Sequence, residues 1–240
     1  LDRHPEWVAL GGNAVLFSGH SNREAVSAVC CDPHRIRRLL LTVCPLMHSS
    51  ALIRTDAFRR VGGYRACFQS AHDYDLWLSL SEIGALSNIP DVLYRYRVTP
   101  TGLSGSRPIE QGLNVHAARL SYLFRRAGRP DPLEGCEQIT LDFLRKKGLI
   151  DRRCYREIVE KLIANAILTL RYGGTREAAA ARLETARSWI RSHRVYSQYP
   201  RLWYHSLTLH HLHGTPLPST DRALLALLKG GRRLKRGLTR

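Results

Sequence analysis

The sequence predicts an α/β part followed by a mainly α-helical part, with the boundary near residue 104. Three observations carry this reading. In the first hundred positions the apolar residues come in short runs separated by Gly and Pro, which suits strands and brief helices. Residues 99–108, TPTGLSGSRP, form a turn-rich break. Beyond the break apolar residues recur at helical spacing, and the charge balance changes as well. Residues 1–104 hold 11 Lys+Arg against 9 Asp+Glu, whereas 105–240 hold 26 against 11, so the two parts carry net charges of +2 and +15.

Element by element, Trp7 to Phe17 predicts a strand, a turn at Gly11-Gly12-Asn13 and a second strand. Asp32-Pro33 opens a helix through Val43, with Ile36, Leu39, Leu40 and Val43 on one side and Pro45 as its stop. Ser50 to Ile53 suits a short buried strand. Thr55 or Asp56 caps a brief helix that ends at Gly62-Gly63. A better helix starts at Asp73 and Asp75, carries Leu76, Trp77, Leu80 and Ile83 as its apolar stripe, and closes at Gly84. Asn88 to Val98 reads as extended chain interrupted by Pro90. In the second part, Ile109 to Phe124 is helical up to Gly128. Tyr155 to Leu170 is the cleanest amphipathic stripe, and Thr175 to Ile190 pairs with it as a helical hairpin. No second copy of this unit is present, so a solenoid is not expected.

At 240 residues the chain can bury a sizeable core, and 44% hydrophobic residues exclude a disordered composition. No signal-peptide pattern and no bilayer-length apolar run is visible. The six cysteines show no C-x-x-C pair, the pattern of reduced thiols in a cytosolic protein. Leu1 does not read as a native start.

Two carboxylates, Asp73 and Asp75, stand at the start of a helix just after His72. Such residues cap free amides and favour the helix dipole; alternatively, one of them is a general base held at a cleft. Asp-Tyr-Asp spacing leaves both readings open.

The run from His48 to Ser104 narrows the choice. HSSALIRTDAFRRVGGY (48–64), AHDYDLWLSLSEIGALSNIPDVLYRYRV (71–98) and TPTGLS (99–104) resemble, in order and spacing, the latter half of the catalytic domain in bacterial family 2 glycosyltransferases. The resemblance implies a partial GT-A (Rossmann-like) domain over 1–104, its acceptor side, followed by a basic helical region over 105–240. It implies inverting transfer of a sugar from a nucleotide-sugar donor to a hydroxyl of a glycan or lipid-linked acceptor, in cell-surface polysaccharide or glycolipid synthesis. Asp73 falls on the family's base. His48, His72, Asp75, Arg95 and Arg97 are the positions expected near substrate, with the two arginines toward the donor diphosphate. For Asp75 a role in supporting the helix start competes, and for His48 a structural hydrogen bond. For Arg95 and Arg97 the competing reading is a solvated strand face.

The family's Glu before the base is His72 here, which changes the local electrostatics. A late histidine, sometimes a metal ligand, aligns with Thr99. The complete family domain uses a divalent cation (Mg or Mn) held by an Asp-x-Asp element that precedes this region, and those ligands are absent from the sequence. LDRHPEWVALGG resembles the stretch just after that element. The expectation is therefore that the chain alone binds nucleotide-sugar poorly, and no metal-ligand set is assigned.

Other constellations are weaker. His205, His210, His211 and His213 lack a carboxylate or Cys partner at fixed spacing, and Ser104 in Gly-Leu-Ser-Gly is no nucleophile elbow. The tail joins Leu224, Leu227 and Leu228 to Lys229, Arg232, Arg233, Lys235, Arg236 and Arg240. It suits either an anionic membrane surface, contacted by 224–240 at the inner face, or a solvated terminus. A non-catalytic membrane-surface or protein-binding module built on a degenerate half-domain is the competing function. Nucleic acid is disfavoured, because no aromatic residues interleave the basic clusters.

Overall fold

The computed structural model describes residues 1–198, apart from 20, 100, 101, 103–105, 173 and 174. It is a mixed α/β structure with seven α-helices and a four-stranded sheet among those residues. The sheet is organised by one long strand, β1 (Trp7–Ser18). β2 (Ser21–Val26) and β3 (Leu52–Ile53) run antiparallel to it, and β4 (Ala85–Arg97) runs parallel. A strand has two edges, so β4 takes one and β2 and β3 share the other, end to end. The nearly unbroken apolar run of β1 is what a central strand requires.

The expected turn at Gly11-Gly12 does not form: β1 passes straight through it. Both glycines serve close approach instead. A Cβ at Gly11 would lie 2.5 Å from Asn88 Oδ1, and one at Gly12 would lie 2.7 Å from Leu93 Cδ1. The register slips here, between Gly11–Asn13 of β1 and Asn88–Val92 of β4. This irregularity accommodates Pro90, whose carbonyl accepts from Asn13 Nδ2 at 2.7 Å. β4 therefore extends from Ala85, earlier than expected, and continues past the proline.

Helix α1 (Pro33–Leu39) starts as read, with the Asp32 carboxylate accepting from the His34 amide at 2.9 Å. It stops short of Val43, where the Thr42 amide and hydroxyl both bond to the Leu39 carbonyl. Helix α2 (Thr55–Arg60) is capped neither by Thr55 nor by Asp56, since its N-cap position is Arg54. The Arg54 guanidinium instead donates to the carbonyls of Trp7, Leu1 and His4, tying the N-terminal segment to the sheet.

Helix α3 (His72–Leu80) is the best buried element, with Leu76, Trp77, Leu78 and Leu80 each 0% exposed. It packs on α4 (Pro108–Arg126), which in turn crosses α6 (Arg152–Arg171). The crossing is close: a Cβ on Gly112 would lie 2.6 Å from the Ile158 Cα. A short α5 (Leu141–Lys146) is capped by Thr140. The predicted hairpin is present as α6 and α7 (Arg176–His193), capped by Asp151 and Thr175. One continuous hydrophobic core runs from Val8 of β1 to Ile190 of α7.

Charged groups cross that core. Arg119 of α4 donates from Nε to the Tyr74 hydroxyl at 2.9 Å and from Nη2 to the Thr42 carbonyl at 3.1 Å, and its Nη1 pairs with Glu157 of α6. His116, 1% exposed, places Nε2 2.9 Å from the Leu149 carbonyl, so this nitrogen carries the proton. Burial holds the His116 imidazolium below its ordinary range, outweighing the Leu149 carbonyl and the charges of Asp151 and Glu157. The native state therefore resists protonation that the unfolded chain accepts. Stability should be fully present above about pH 6.5 and be lost as pH falls through the folded value. His193, also lowered by burial, adds to this slope. Urea midpoints measured from pH 7.5 to 5 should fall, and His116→Gln should flatten the decline; an unchanged slope in that variant would assign it elsewhere.

Candidate active site

Three segments distant in sequence bring their rings together at the start of α3. The first is a 3₁₀ turn, His48–Ser50. Its Ser50 hydroxyl accepts from the Gly12 amide at 3.0 Å and donates to the Met47 carbonyl at 2.7 Å, which ties the turn to the centre of β1. The second follows α2, where Gly62 and Gly63 take φ of 81° and 69°. This left-handed backbone is open to glycine and returns Tyr64 to Phe58, with ring centroids 5.5 Å apart.

The third is the entry to α3. Ala71 has φ 54°, left-handed for a residue with a Cβ, and leads straight into His72. Such a conformation costs on the order of 1 kcal/mol and persists only where its surroundings hold it. Asn114 of α4 does so, donating to the Ser70 carbonyl at 2.9 Å and to the Ser70 hydroxyl at 3.0 Å.

The resulting rim is aromatic and polar. The His48 and His72 rings lie 5.8 Å apart, and Tyr64 is edge-on to both, at 5.9 and 5.5 Å. The buried Trp77 ring lies 6.1 Å from His48. Asp73 is half-buried on this rim; its Oδ1 accepts from the Tyr74 amide at 2.8 Å, and no ion pair engages it among the described residues. Its neighbours register the charge. Burial, and then the Asp73 carboxylate, push the Tyr64 phenol up. The same two causes push the Cys44 thiol up to about 12; its residue is exposed overall, but the sulfur is turned in toward the Leu46 carbonyl at 3.5 Å. Both groups remain protonated at neutral pH, as donors beside a carboxylate.

Asp75 has a different place. It is 2% exposed, and Arg65 grips it with Nε at 2.8 Å from Oδ2 and with Nη2 on Oδ1. Arg65 also reaches Asp131 at 2.9 Å and the Ser121 hydroxyl at 3.0 Å. Asp75 was expected near substrate and is instead a structural anion. The reason is helix geometry: two residues apart on a helix is about 200° of rotation, so Asp73 and Asp75 face opposite ways.

Arg95 and Arg97 do not join the rim either. Successive strand residues point to opposite faces. Tyr94 of β4 lies on the face that meets the His48–Ser50 turn, where Ser49 draws its phenol down against the upward push of burial. Arg95, on the other face, pairs with Glu24 and lies 4.9 Å from the Phe17 ring centroid, and Arg97 lies 5.7 Å from the same ring. Neither Tyr64 nor Cys44 was singled out from the sequence. The Gly62-Gly63 pair was a usable signal for Tyr64, because it marks a reversal that throws the next side chain back over the preceding helix. The histidines 205, 210, 211 and 213, Ser104 and the tail 224–240 lie outside the described residues.

No group of three or more His, Cys, Asp or Glu side chains among the described residues is arranged to hold a metal ion, and no helix there is long and apolar enough to cross a membrane. Comparison of the chain with protein-family models, curated proteins and solved structures finds no match in any of the three.

Proposed function

We propose that this chain carries the acceptor side of a family 2, GT-A-type glycosyltransferase, with Asp73 as the base. One observation carries the reading. Of two carboxylates at one helix start, Asp75 is neutralised by Arg65, while Asp73 is left without a cation on a rim of His48, Tyr64 and His72. The backbone outlier at Ala71 immediately precedes this pair, as strain held at a functional site does.

In this reaction the acceptor hydroxyl gives its proton to Asp73 as its oxygen attacks the anomeric carbon of the nucleotide-sugar. The bond to the leaving nucleoside diphosphate breaks with its electron pair, and the configuration inverts. His48 and His72 offer ring nitrogens to the acceptor's other hydroxyls, and Tyr64 offers a phenolic donor. The described residues do not fit a divalent cation, because Asp75, the only carboxylate in an Asp-x-Asp relation to Asp73, is bound to Arg65 and faces away. No step is therefore assigned to a metal here. A lipid-linked acceptor would bring the protein to the cytoplasmic face of an anionic membrane, where the basic tail 224–240 adds attraction.

The test is a transfer assay on the product of the full open reading frame, with a panel of nucleotide-sugars and mass-spectrometric detection. Asp73→Asn should reduce transfer by about 100-fold or more while leaving the melting temperature within a few degrees. Wild-type transfer rates in Asp73→Asn would sink the assignment.

A further inference from the structure

A concavity lies at the other end of α3. It encloses about 570 Å³ between the N-terminal segment, α1 and the turn that joins α3 to β4. That size falls within the roughly 300–1,000 Å³ of small-molecule sites. Its floor is apolar: Ile36 and Leu40 are 1% exposed and Leu86 is 2% exposed. One wall is a pair of flat rings, His4 stacked on Trp7 at 3.7 Å and 5°.

The concavity is held in place by the same bonds that tie the N-terminal segment to the sheet. Arg54 bonds the carbonyls of Leu1, His4 and Trp7, fixing the ring wall. The Ala85 amide donates to the Glu6 carbonyl at 2.9 Å. At Gly84 a Cβ would lie 2.2 Å from Val8 Cγ1, so only glycine lets the turn approach the strand this closely.

The charges around it are unequal in how they are satisfied. Two carboxylates line the concavity: Glu82 is paired with Arg125 at 2.6 Å, whereas Glu6 is exposed at the rim, 3.2 Å from His4 Nδ1, a hydrogen bond that is an ion pair only when the imidazole is protonated. On the opposing wall α1 contributes His34 and Arg37, both exposed and neither engaged by an acid among the described residues. Arg35 and Arg38 of the same helix are likewise exposed and unpaired, which strengthens the positive field at the mouth. A free guanidinium above an apolar floor, beside a flat aromatic wall, suits a ring with an anionic group at its edge.

We propose that this concavity is a binding site for a small, flat-ringed organic anion, of about the size of a nucleoside monophosphate, with Arg37 on the anion and the His4–Trp7 stack on the ring. The site does not depend on the sugar-transfer reading and lies away from Asp73, at the opposite end of α3.

Calorimetric titration of the full chain with AMP, UMP, adenosine and inorganic phosphate tests it. Both monophosphates should bind, at least about tenfold more tightly than adenosine, with inorganic phosphate alone giving no signal. Arg37→Ala should bring AMP down to the adenosine level, and His4→Ala should weaken AMP and adenosine together. Both are surface substitutions, so unchanged thermal melts will show that the fold is intact. Asp73→Asn should bind AMP as the wild type does. The proposal is overturned if neither monophosphate binds, if adenosine binds as tightly, or if Arg37→Ala has no effect. Loss of AMP binding in Asp73→Asn would place the ligand at the other end of the helix and overturn it equally. Failure of the transfer assay leaves these outcomes unchanged, so the two readings fail separately.

Discussion

Replacing Glu157 with alanine is expected to lower the unfolding free energy by about 3–5 kcal/mol, among the largest effects of any single substitution in this fold. The Arg119–Glu157 pair joins α4 to α6 with side chains only 5% and 8% exposed. Without the carboxylate, the Arg119 guanidinium keeps the Tyr74 hydroxyl and the Thr42 carbonyl, which are dipoles, and has no second ion pair among the described residues. A buried cation left with dipoles alone is the costly case, because the surroundings cannot replace the water it gave up. Denaturant unfolding of Glu157→Ala checks the size of the effect. The double variant Arg119→Met/Glu157→Leu separates cause from packing, since removing both charges should restore most of the loss. A double variant as unstable as the single one would mean that helix packing, and not the stranded charge, dominates.

What the sequence showed and what it hid follow from the range of the forces involved. Helices α4, α6 and α7 were legible because their apolar stripes are local signals: α7 starts at Thr175 as read, whereas α6 begins at the Asp151 cap, a little before the Tyr155 from which its stripe was read. Gly11-Gly12 misled because glycine marks two different things, a turn and a close approach. The second depends on Asn88 and Leu93, which lie more than seventy positions away. β2 was missed because Ser21–Val26 is a polar stretch whose partner, β1, supplies the apolar side of the pairing. In the candidate site, Asp73 and His72 were readable from the motif, whereas the exclusion of Asp75 depended on Arg65. That arginine reaches its partners Asp131 and Ser121 across α4, a contact with no local signature. Arg95 and Arg97 show the same limit: strand alternation separates them from Tyr94, but which face meets His48 is settled only when the His48–Ser50 turn docks on Gly12.

The second large effect divides the two carboxylates of α3 by what each does. Asp75→Ala is expected to cost about 3 kcal/mol. That lies at the low end for a buried pair, because Arg65 keeps Asp131 as a second anion at 2.9 Å and is itself 27% exposed. Asp73→Ala is expected to cost no more than about 1 kcal/mol, the scale of a helix-start carboxylate, since among the described residues it accepts only from the adjacent Tyr74 amide. The acid response should separate them as well. Burial raises the Asp131 carboxyl, but the Ser121 hydroxyl, the Leu133 amide, Arg125 and Arg65 outweigh it and leave the carboxyl below its ordinary value of about 3.8. Its contribution is therefore complete above that value and is lost as pH falls through the folded one. Asp75→Ala removes the partner that orients Arg65, so Arg65 should hold Asp131 less firmly and the fall of stability across this low range, below the region where His116 acts, should become shallower. Asp73→Ala should leave that region of the profile as it is. If the two variants were instead equally stable and equally acid-resistant, Arg65 would not distinguish them, and the argument that frees Asp73 for a substrate proton would lose its physical basis.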